Sequence, residues 1–242
     1  MRYRIGTSGY NYPEWRGSFY PEKFPTAKML AFYAERFNTV EVNYTFYRAP
    51  TVALLEGWAR GTPEGFTFTL KAPRRITHDS KLRHVESLTQ SFCKTAQALG
   101  GKLGVLLFQL PPTFKRDDGT FESFLESIPE GTRAAFEFRH ASWLEEAVFE
   151  KLRRRNLALC IADSEKLSTP VTMTADYSYF RLRDEGYQPA DIERWARTIR
   201  DQPPFDAHVY FKHEEQGKGP EFARMLMSML DVPQPYAAPT AN

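Results

Sequence analysis

The chain has 242 residues, which is enough to bury one sizeable core and suits an α/β barrel folded as a single domain. Its 32 lysine and arginine residues nearly balance 30 aspartate and glutamate residues, so the net charge is only +2. This balance excludes a global positive field of the kind that attracts nucleic acid, and any electropositive surface must be local. Cys93 and Cys160 lack the paired spacing of a disulfide framework or a zinc site, which fits a reducing compartment.

Neither a secretory signal nor a membrane-spanning segment is expected. The first strand-like run, residues 3–7, follows the initial residues directly, and no apolar run approaches the roughly 20 residues that a transmembrane helix needs. We therefore expect a cytoplasmic protein with no membrane partner. Residues 232–242 carry three prolines among small residues, which predicts an irregular tail after a barrel domain of residues 1–231.

Short β-rich runs alternate with segments of helical periodicity along the whole chain. The predicted strands are residues 4–7, 40–43, 66–71, 104–109, 134–139, 158–163, 179–183 and 208–212. Apolar residues spaced i, i+3, i+4 and i+7 predict helices around residues 30–37, 121–128, 192–199 and 222–230. Ser142 with Glu145 predicts a capping box at the start of the fifth helix, and Pro220 suits the first turn of the eighth. No full helix is expected between residues 164 and 177.

This alternation predicts an α/β protein that forms a single (β/α)₈ barrel of the TIM type, possessing an irregular sixth βα unit. A doubly wound open sheet is the alternative, but it usually carries a glycine-rich phosphate turn after its first strand. Here residues 6–9 read Gly-Thr-Ser-Gly and lack the GxGxxG spacing. The motifs GxxxxGK[ST] and HExxH are also missing from the sequence, which excludes a Walker-type nucleotide loop and a zincin site.

A series of short motifs runs along the chain. They are GTSGY at 6–10 with Trp15 and FYP at 19–21, VEVN at 40–43 with TFY at 45–47, FTF at 66–68 with Lys71, TH at 77–78, QLPP at 109–112, EFR at 137–139 with Trp143, and YF at 210–211. In these motifs the chain resembles the YecE-like family, also catalogued as domain of unknown function seventy-two. The resemblance implies a TIM-barrel fold and a distant relation to metal-dependent endonuclease and isomerase barrels, but it implies no established activity. Some members carry an Asn pair where this chain has Lys212 and His213, so a role for those amides does not transfer.

Charged residues near the ends of the predicted strands are the main candidates for a site, because the carboxyl ends of all eight strands meet at one mouth of a closed barrel. Period-two alternation predicts that these side chains point inward. The expected inward cations are Lys71, Arg139, Arg181, Arg183 and Lys212, and the expected inward anions are Glu41, Glu137 and Asp163. This excess of positive charge predicts an anionic ligand. The alternative is a set of ion pairs that merely fill the barrel.

The three carboxylates allow two kinds of chemistry, and the sequence leaves both open. They can supply a general acid and a general base, or they can hold a divalent metal cofactor through oxygen ligands. His78, in the connection after the third strand, is a candidate proton shuttle, with an exposed loop histidine as the alternative. A multi-zinc site is not expected, because only His140 and His213 directly follow strands.

Further candidates would contact the substrate. Gly217, Lys218 and Gly219 lie between the eighth strand and the eighth helix, where backbone N–H groups often bind phosphate; an ordinary flexible loop is the alternative. Aromatic residues after the early strands, Tyr10 and Tyr47 among them, can stack on bases or sugars or can simply pack under loops. Asn43 and Gln109, at the ends of the second and fourth strands, can form hydrogen bonds to a ligand.

We therefore expect an enzyme of the hydrolase or isomerase type that acts on an anionic, phosphorylated small molecule or a nucleic-acid fragment at the barrel mouth. Two alternatives from other classes remain. One is a non-catalytic protein that binds an anion or metabolite, and the other is a nucleic-acid-binding protein that uses the barrel mouth as a stacking surface.

Overall fold

Eight parallel strands form one sheet in the computed structural model, which describes residues 2–163, 167–203, 206–233 and 235. The strands are β1 Arg2–Thr7, β2 Thr39–Val42, β3 Thr67–Lys71, β4 Leu103–Gln109, β5 Ala134–Glu137, β6 Ala158–Asp163, β7 Tyr177–Leu182 and β8 Asp206–Phe211. Their order in the sheet is β1-β8-β7-β6-β5-β4-β3-β2. A parallel bridge between Ser8 and Glu41 joins the ends of β1 and β2, so the sheet curls into a barrel. The predicted TIM-type α/β fold is confirmed.

Helices follow most strands, as a barrel of repeated βα units requires. They are α1 Met29–Ala34, α2 Tyr44–Tyr47, α3 Val52–Arg60, α4 Glu86–Ala96, α5 Asp118–Ser127, α6 Glu146–Arg154, α7 Pro189–Arg200 and α8 Lys218–Met229. Short 3-10 turns cover Pro13–Trp15, Thr26–Lys28, Gln97–Lys102, Ala141–Trp143 and Glu215–Gly217, and a π-helical turn covers Arg75–Asp79. Between β6 and β7, the described residues 167–176 contain no helix, as predicted for an irregular sixth unit.

Both faces of most strands are buried, as is usual for a parallel sheet that is covered by helices on one face. On the outer face, the ring of Phe136 packs against Phe108 and against Phe121 of α5. On the inner face a separate small cluster fills the barrel, and its members are Val105, Leu107, Ala135, Ala158, Cys160, Ala162, Tyr177, Tyr179 and Tyr210. The buried charged side chains of Glu41, Glu137 and Arg181 enter the interior near the carboxyl ends of their strands.

The predicted capping box does not form. Helix α6 begins at Glu146, with Glu145 as the N-cap residue and no side-chain capping bond. Ser142 instead belongs to the 3-10 turn Ala141–Trp143, where its Oγ accepts the backbone N–H of Arg116 at 2.9 Å and pairs with His140 Nδ1 at 2.9 Å. The capping prediction was wrong because His140 caps this extra turn first and delays the helix.

Pro220 lies in the first turn of α8, as predicted. Within the described part of the chain, no helix combines the length and the apolar character that crossing a membrane requires. Of the predicted tail 232–242, only residues 232, 233 and 235 belong to the described residues, and the rest lies outside them. The division into a barrel of 1–231 and a tail therefore stays a prediction.

Candidate functional site

Arg181 of β7 lies at the centre of the barrel mouth and is completely buried. Its Nε donates to Glu41 Oε1 of β2 at 3.0 Å, and its Nη1 donates to Glu137 Oε2 of β5 at 2.8 Å. Nη1 also reaches Gln109 Oε1 of β4 at 3.3 Å, while Nη2 donates to Ser8 Oγ at 3.1 Å. One guanidinium thus holds together the ends of four strands and the turn that follows a fifth.

The register of the sheet explains why these groups meet. Gln109 pairs in register with Glu137, and Ser8 bridges to Glu41, so these side chains occupy one layer of the barrel. In this dry layer a charge must find partners. Glu41 accepts from Ser8 Oγ and, at 2.5 Å, from Tyr179 OH, in addition to Arg181. The paired network expected as the alternative to a ligand site therefore accounts for Glu41, Glu137 and Arg181.

Glu137 is held as an anion. Burial by itself would raise its pKa, but the Arg181 and Arg139 guanidinium groups outweigh burial and hold the pKa well below its usual range. Arg139 Nε donates to Glu137 Oε1 at 2.8 Å, and Arg183 Nη1 lies 3.7 Å from the same oxygen. Because both oxygens are engaged and no proton is bound at neutral pH, this geometry suits a fixed counter-ion better than a general acid.

Asp163 does not lie in the mouth, and the prediction that it points inward was wrong. Its Oδ2 accepts hydrogen bonds from Tyr187 OH at 2.8 Å and from Trp195 Nε1 of α7 at 3.3 Å. Cys160 and Ala162 face the barrel interior, so the alternation of β6 turns Asp163 towards the helices. Asp163 links the end of β6 to Tyr187 and to Trp195 of α7 and does not contribute to the mouth.

A cavity of about 580 Å³ opens above the Arg181 network. The residues that line it are Gly9, Tyr10, Asn11, Tyr12, Val42, Asn43, Tyr44, Tyr47, Leu54, Trp58, Lys71, Lys212 and Glu214. We call it the main cavity. It brings together five residues expected to contact substrate: Tyr10, Asn43, Tyr47, Lys71 and Lys212. Asn43 Nδ2 donates to Ser8 Oγ at 2.9 Å, whereas its buried Oδ1 has no partner among the described residues.

Four residues of the main cavity wall were not predicted from the sequence: Asn11, Leu54, Trp58 and Glu214. Leu54 and Trp58 come from α3, a helix in the connection between β2 and β3 that the periodicity search did not identify. Their i, i+4 spacing beside the buried Leu55 is the signal that would have identified this helix. Glu214, two residues beyond Lys212, has no comparable pattern.

Lys71 is the last residue of β3 and is largely buried. Its Nζ lies 4.2 Å from the centroid of the Phe46 ring, and the described residues provide no carboxylate as an ion-pair partner. Burial, together with the nearby Arg181, lowers the pKa of Lys71 to about 7. A large fraction of this amine is therefore uncharged at neutral pH.

Lys212 follows β8, and burial with the nearby Arg181 lowers its pKa too, although it lies 3.8 Å from Glu214 Oε1. It stands in a wall shared by the main cavity and a smaller cavity of about 320 Å³. The smaller cavity is lined by Arg183, Glu185, Lys212, His213, Glu214, Glu215 and Lys218. Arg183 and Lys218 thus line the smaller cavity together with Lys212.

The two glycines beside Lys218 pack against protein and do not line either of these cavities. Gly217 has a φ of 76°, and a Cβ there would lie 2.6 Å from Ser18 Oγ. A Cβ on Gly219 would lie 2.8 Å from the carbonyl oxygen of His213. Both glycines therefore allow the close approach of α8 to the loop after β1, and their contact with an anion stays a prediction.

His78 sits in the π-helical turn after β3 and is only partly exposed. Its Nδ1 lies 2.8 Å from Thr77 Oγ1, and its ring meets the Phe46 ring edge to face at 4.9 Å. Burial and the Lys71 and Arg139 cations lower the pKa of His78 to about 4. The imidazole is therefore neutral at neutral pH and lies beside the same aromatic ring as Lys71.

The residues of the mouth do not fit a divalent metal. No group of three His, Cys, Asp or Glu side chains suited to a cation occurs within the described ranges. Arg181 occupies oxygens of both Glu41 and Glu137, so neither carboxylate is free for a metal. His140 pairs with Ser142, and His213 Nε2 lies 2.7 Å from the Asp184 carbonyl oxygen.

Comparison with known proteins identifies the family of this chain. A family model described as "Protein of unknown function DUF72" matches residues 4–241. The UPF0759 protein YecE of Escherichia coli K12 is 32% identical over 126 residues, which are 52% of this chain and 46% of that protein. The chain thus spans about half the length of this curated relative. The UPF0759 protein YunF of Bacillus subtilis 168 is 23% identical over 265 residues, covering 92% of this chain and 93% of YunF.

Solved structures agree on the fold. A crystal structure of a DUF72 family protein from Thermotoga maritima MSB8 superimposes with a TM-score of 0.84 at 26% identity, covering 96% of this chain and 100% of that one. A DUF72 family protein from Enterococcus faecalis V583 has a TM-score of 0.79 at 18% identity, covering 96% and 98% of the two chains. Because the family model spans nearly the whole sequence, this chain belongs to the DUF72 family.

Proposed function

We propose that the protein is an enzyme of the hydrolase or isomerase type that binds an anionic, phosphorylated small molecule in the main cavity. The observation that carries this proposal is the meeting of Lys71 and Lys212 with an aromatic wall above the buried Arg181 network. A concave site of this volume, with many apolar walls and few polar groups, is typical of small-molecule sites.

The balance of fixed charges favours an anion. Three guanidinium groups, those of Arg139, Arg181 and Arg183, surround Glu137, while the two buried carboxylates compensate only part of this charge. At the cavity wall Lys212 adds a positive charge that Glu214 partly compensates, and Lys71 adds charge only in its protonated fraction. In a partly dehydrated cavity, such an excess attracts negative charge more strongly than it would in water.

The aromatic wall favours a ligand with a flat ring or a sugar face. Tyr10, Tyr12 and Tyr44 line the main cavity with Trp58, and such rings can stack on the faces of bases or sugars. Asn43 Oδ1 offers a buried acceptor without a protein partner, suited to a ligand hydroxyl or amino group. A phosphorylated sugar or a nucleotide-like compound matches this combination.

Proton transfer in this site is better assigned to the neutral bases than to the carboxylates. Glu41 and Glu137 are engaged by Arg181, whereas Lys71 and His78 have lowered pKa values and can accept a proton at neutral pH. Lys71 is the stronger base of the two because its pKa is about 7. This supports an enzyme over a protein that only binds its ligand, which remains the alternative from a different class.

The test measures binding of pyrophosphate, ribose 5-phosphate and nucleoside monophosphates by thermal shift and by quenching of tryptophan fluorescence, since Trp58 lines the cavity. Lys212→Ala should weaken binding about tenfold or more, because a charge-assisted contact contributes about 1.5–3 kcal/mol. The matched control is Lys28→Ala, an exposed lysine in the turn before α1, which should bind like the wild type.

Two results would contradict the proposal. One is the absence of any response to phosphorylated compounds, and the other is equal binding by Lys212→Ala and the wild type. Binding without turnover of any bound compound would favour the alternative of a non-catalytic metabolite-binding protein.

A nucleic-acid fragment is the second candidate ligand, and the exposed rings at the rim favour it. Tyr47 is 79% exposed and Tyr44 is 43% exposed, as is typical of side chains that stack on unpaired bases. Tyr47→Ala should then weaken the binding of a labelled single strand, and that binding should fall steeply with salt.

Both cysteines are buried free thiols, which supports a cytoplasmic location.

A further inference from the structure

We propose that Lys71 forms a covalent imine with a carbonyl group of the anionic ligand. This inference rests on the proposed binding of an anionic small molecule in the main cavity, and it names the substrate class as a small anionic aldehyde or ketone. It also assigns Lys71 a role as a nucleophile, which differs from the role of a simple charge that attracts phosphate.

The position of Lys71 suits a nucleophile. It ends β3, and its carbonyl oxygen accepts a hydrogen bond from Thr45 Oγ1 at 2.7 Å, so its backbone is held by both the sheet and the start of α2. The side chain lines the main cavity while its stem is shielded from water. A reactive group on a rigid strand end is held in a defined place relative to a bound ligand.

The neighbours of Lys71 disfavour its protonated form. The ammonium would stand near the Arg181 and Arg139 cations, which disfavour it, while the face of the Phe46 ring, 4.2 Å from Nζ, offers a cation–π contact but no neutralising charge. The carboxylates that compensate these arginines, Glu41 and Glu137, are already engaged by them. Burial and these cations lower the pKa of Lys71 to about 7, so the free amine is well populated at neutral pH.

Lys212 differs from Lys71 in its charged neighbours, and this difference suggests a separate role for each lysine. It lines the same cavity but lies 3.8 Å from Glu214, and the smaller cavity behind it adds Arg183 and Lys218. Lys212 is therefore suited to holding the anionic group, which leaves Lys71 to face the carbonyl group. A ligand that carries both groups would satisfy the two lysines at once.

The covalent step balances without an oxidant or a reductant. The electron pair of Lys71 Nζ attacks the carbonyl carbon and opens its C=O double bond to give a carbinolamine. The two protons of the amine nitrogen then leave with the former carbonyl oxygen as one water molecule, and a C=N double bond forms. Once protonated, this imine withdraws electrons from the neighbouring carbon, which is how lysine imines ease the cleavage of an adjacent C–H or C–C bond.

Pyridoxal 5′-phosphate is a suitable probe because it combines a phosphate, a flat ring and an aldehyde. The full chain is incubated with less than one equivalent of the probe, the imine is reduced with sodium borohydride, and the adduct is located by peptide mapping. We expect most of the label on Lys71. The rate of labelling should rise through about pH 7, whereas ordinary surface lysines titrate near pH 10.4.

The matched probe 4′-deoxypyridoxine 5′-phosphate carries a methyl group in place of the aldehyde. It should bind, as measured by tryptophan quenching, and should protect Lys71 from labelling without forming an adduct. Lys71→Arg and Lys71→Met, each checked for native circular dichroism, should lose at least about 90% of the adduct, because the amine that forms the imine is missing. Lys28→Ala should keep it.

The outcomes separate the two proposals. Binding of both probes with label spread over surface lysines would overturn the imine and leave the proposed anion site standing. A labelling rate that rises only near pH 10 would overturn it as well. If no adduct forms on Lys71 although other phosphorylated compounds bind in the main cavity, only the imine fails. If neither probe binds and pyrophosphate, ribose 5-phosphate and nucleoside monophosphates give no response either, the imine and the proposed function both fail.

Discussion

Removal of the Arg181 guanidinium is the sharpest test of how the barrel mouth is held together. In Arg181→Met, Glu41 and Glu137 remain inside the barrel without their shared cation. Breaking a buried ion pair by deleting one partner costs about 3–5 kcal/mol, because an uncompensated charge is left in a medium of low polarity. For a domain of this size, that loss corresponds to a fall of about 6–20 °C in the unfolding temperature.

The loss of unfolding free energy in Arg181→Met should depend on pH. The folded-state pKa of Glu137 lies below its unfolded value of about 4.3, so its pairing stabilises the fold above that pH and the contribution is lost as the pH falls towards the folded-state pKa. The difference in unfolding free energy between the wild type and Arg181→Met should therefore be largest at pH 7. It should narrow when the pH falls below about 4.

Urea unfolding, followed by both tryptophan fluorescence and circular dichroism, measures this difference. Arg183→Met is the matched control, because its guanidinium lies 3.7 Å from Glu137 and is 28% exposed. A partly exposed pair of this kind contributes about 1 kcal/mol or less. If Arg181→Met unfolds within about 1 kcal/mol of the wild type at pH 7, the buried network does not stabilise the barrel as argued.

Two further predictions concern the packing of Gly219 and the hydrogen bonds of Asp163. Gly219→Ala should lower the free energy of unfolding by about 1–3 kcal/mol, because the new Cβ would lie 2.8 Å from the His213 carbonyl oxygen. The control Gly57→Ala in α3 places its Cβ in open space and should be neutral or stabilising. Equal urea midpoints for the two variants would contradict the packing role of Gly219. Asp163→Ala should lower the unfolding temperature, because Tyr187 and Trp195 lose their hydrogen-bond acceptor, and it should leave phosphate binding in the main cavity unchanged. A loss of binding at an unchanged unfolding temperature would show instead that Asp163 belongs to the site.

Much of the site could be predicted by counting along strands. Alternation places Glu41, Glu137 and Arg181 on inward positions of β2, β5 and β7, and the structure brings these three together. The same rule gave the wrong face for Asp163, because the inward positions of β6 are the even-numbered ones. Cys160 and Ala162 fill the barrel, which turns the next side chain outward.

Other features depended on contacts between distant segments. Trp58 reaches the main cavity because α3 folds over the mouth, and His78 reaches Phe46 because the loop after β3 turns back. The pKa of Lys71 is lowered by burial and by Arg181 on β7 and Arg139 just after β5, all of which depend on segments far away in the sequence. Local periodicity carries no information about such encounters, since it reports only which face of an element is apolar.

The order of elements along this chain was determined by its sequence, because strand and helix periodicities are local properties of side-chain pattern. The closed barrel was predicted from eight such units, and the resemblance of the motifs to the DUF72 family implied the same fold. Only the tertiary structure decided which charges neutralise one another and which remain available. Arg181 satisfies Glu41 and Glu137 across the barrel, and Lys71 is left with an aromatic neighbour and no carboxylate among the described residues. Burial and distance set the strength of each charge interaction, and both exist only once the eight strands have closed around a common axis.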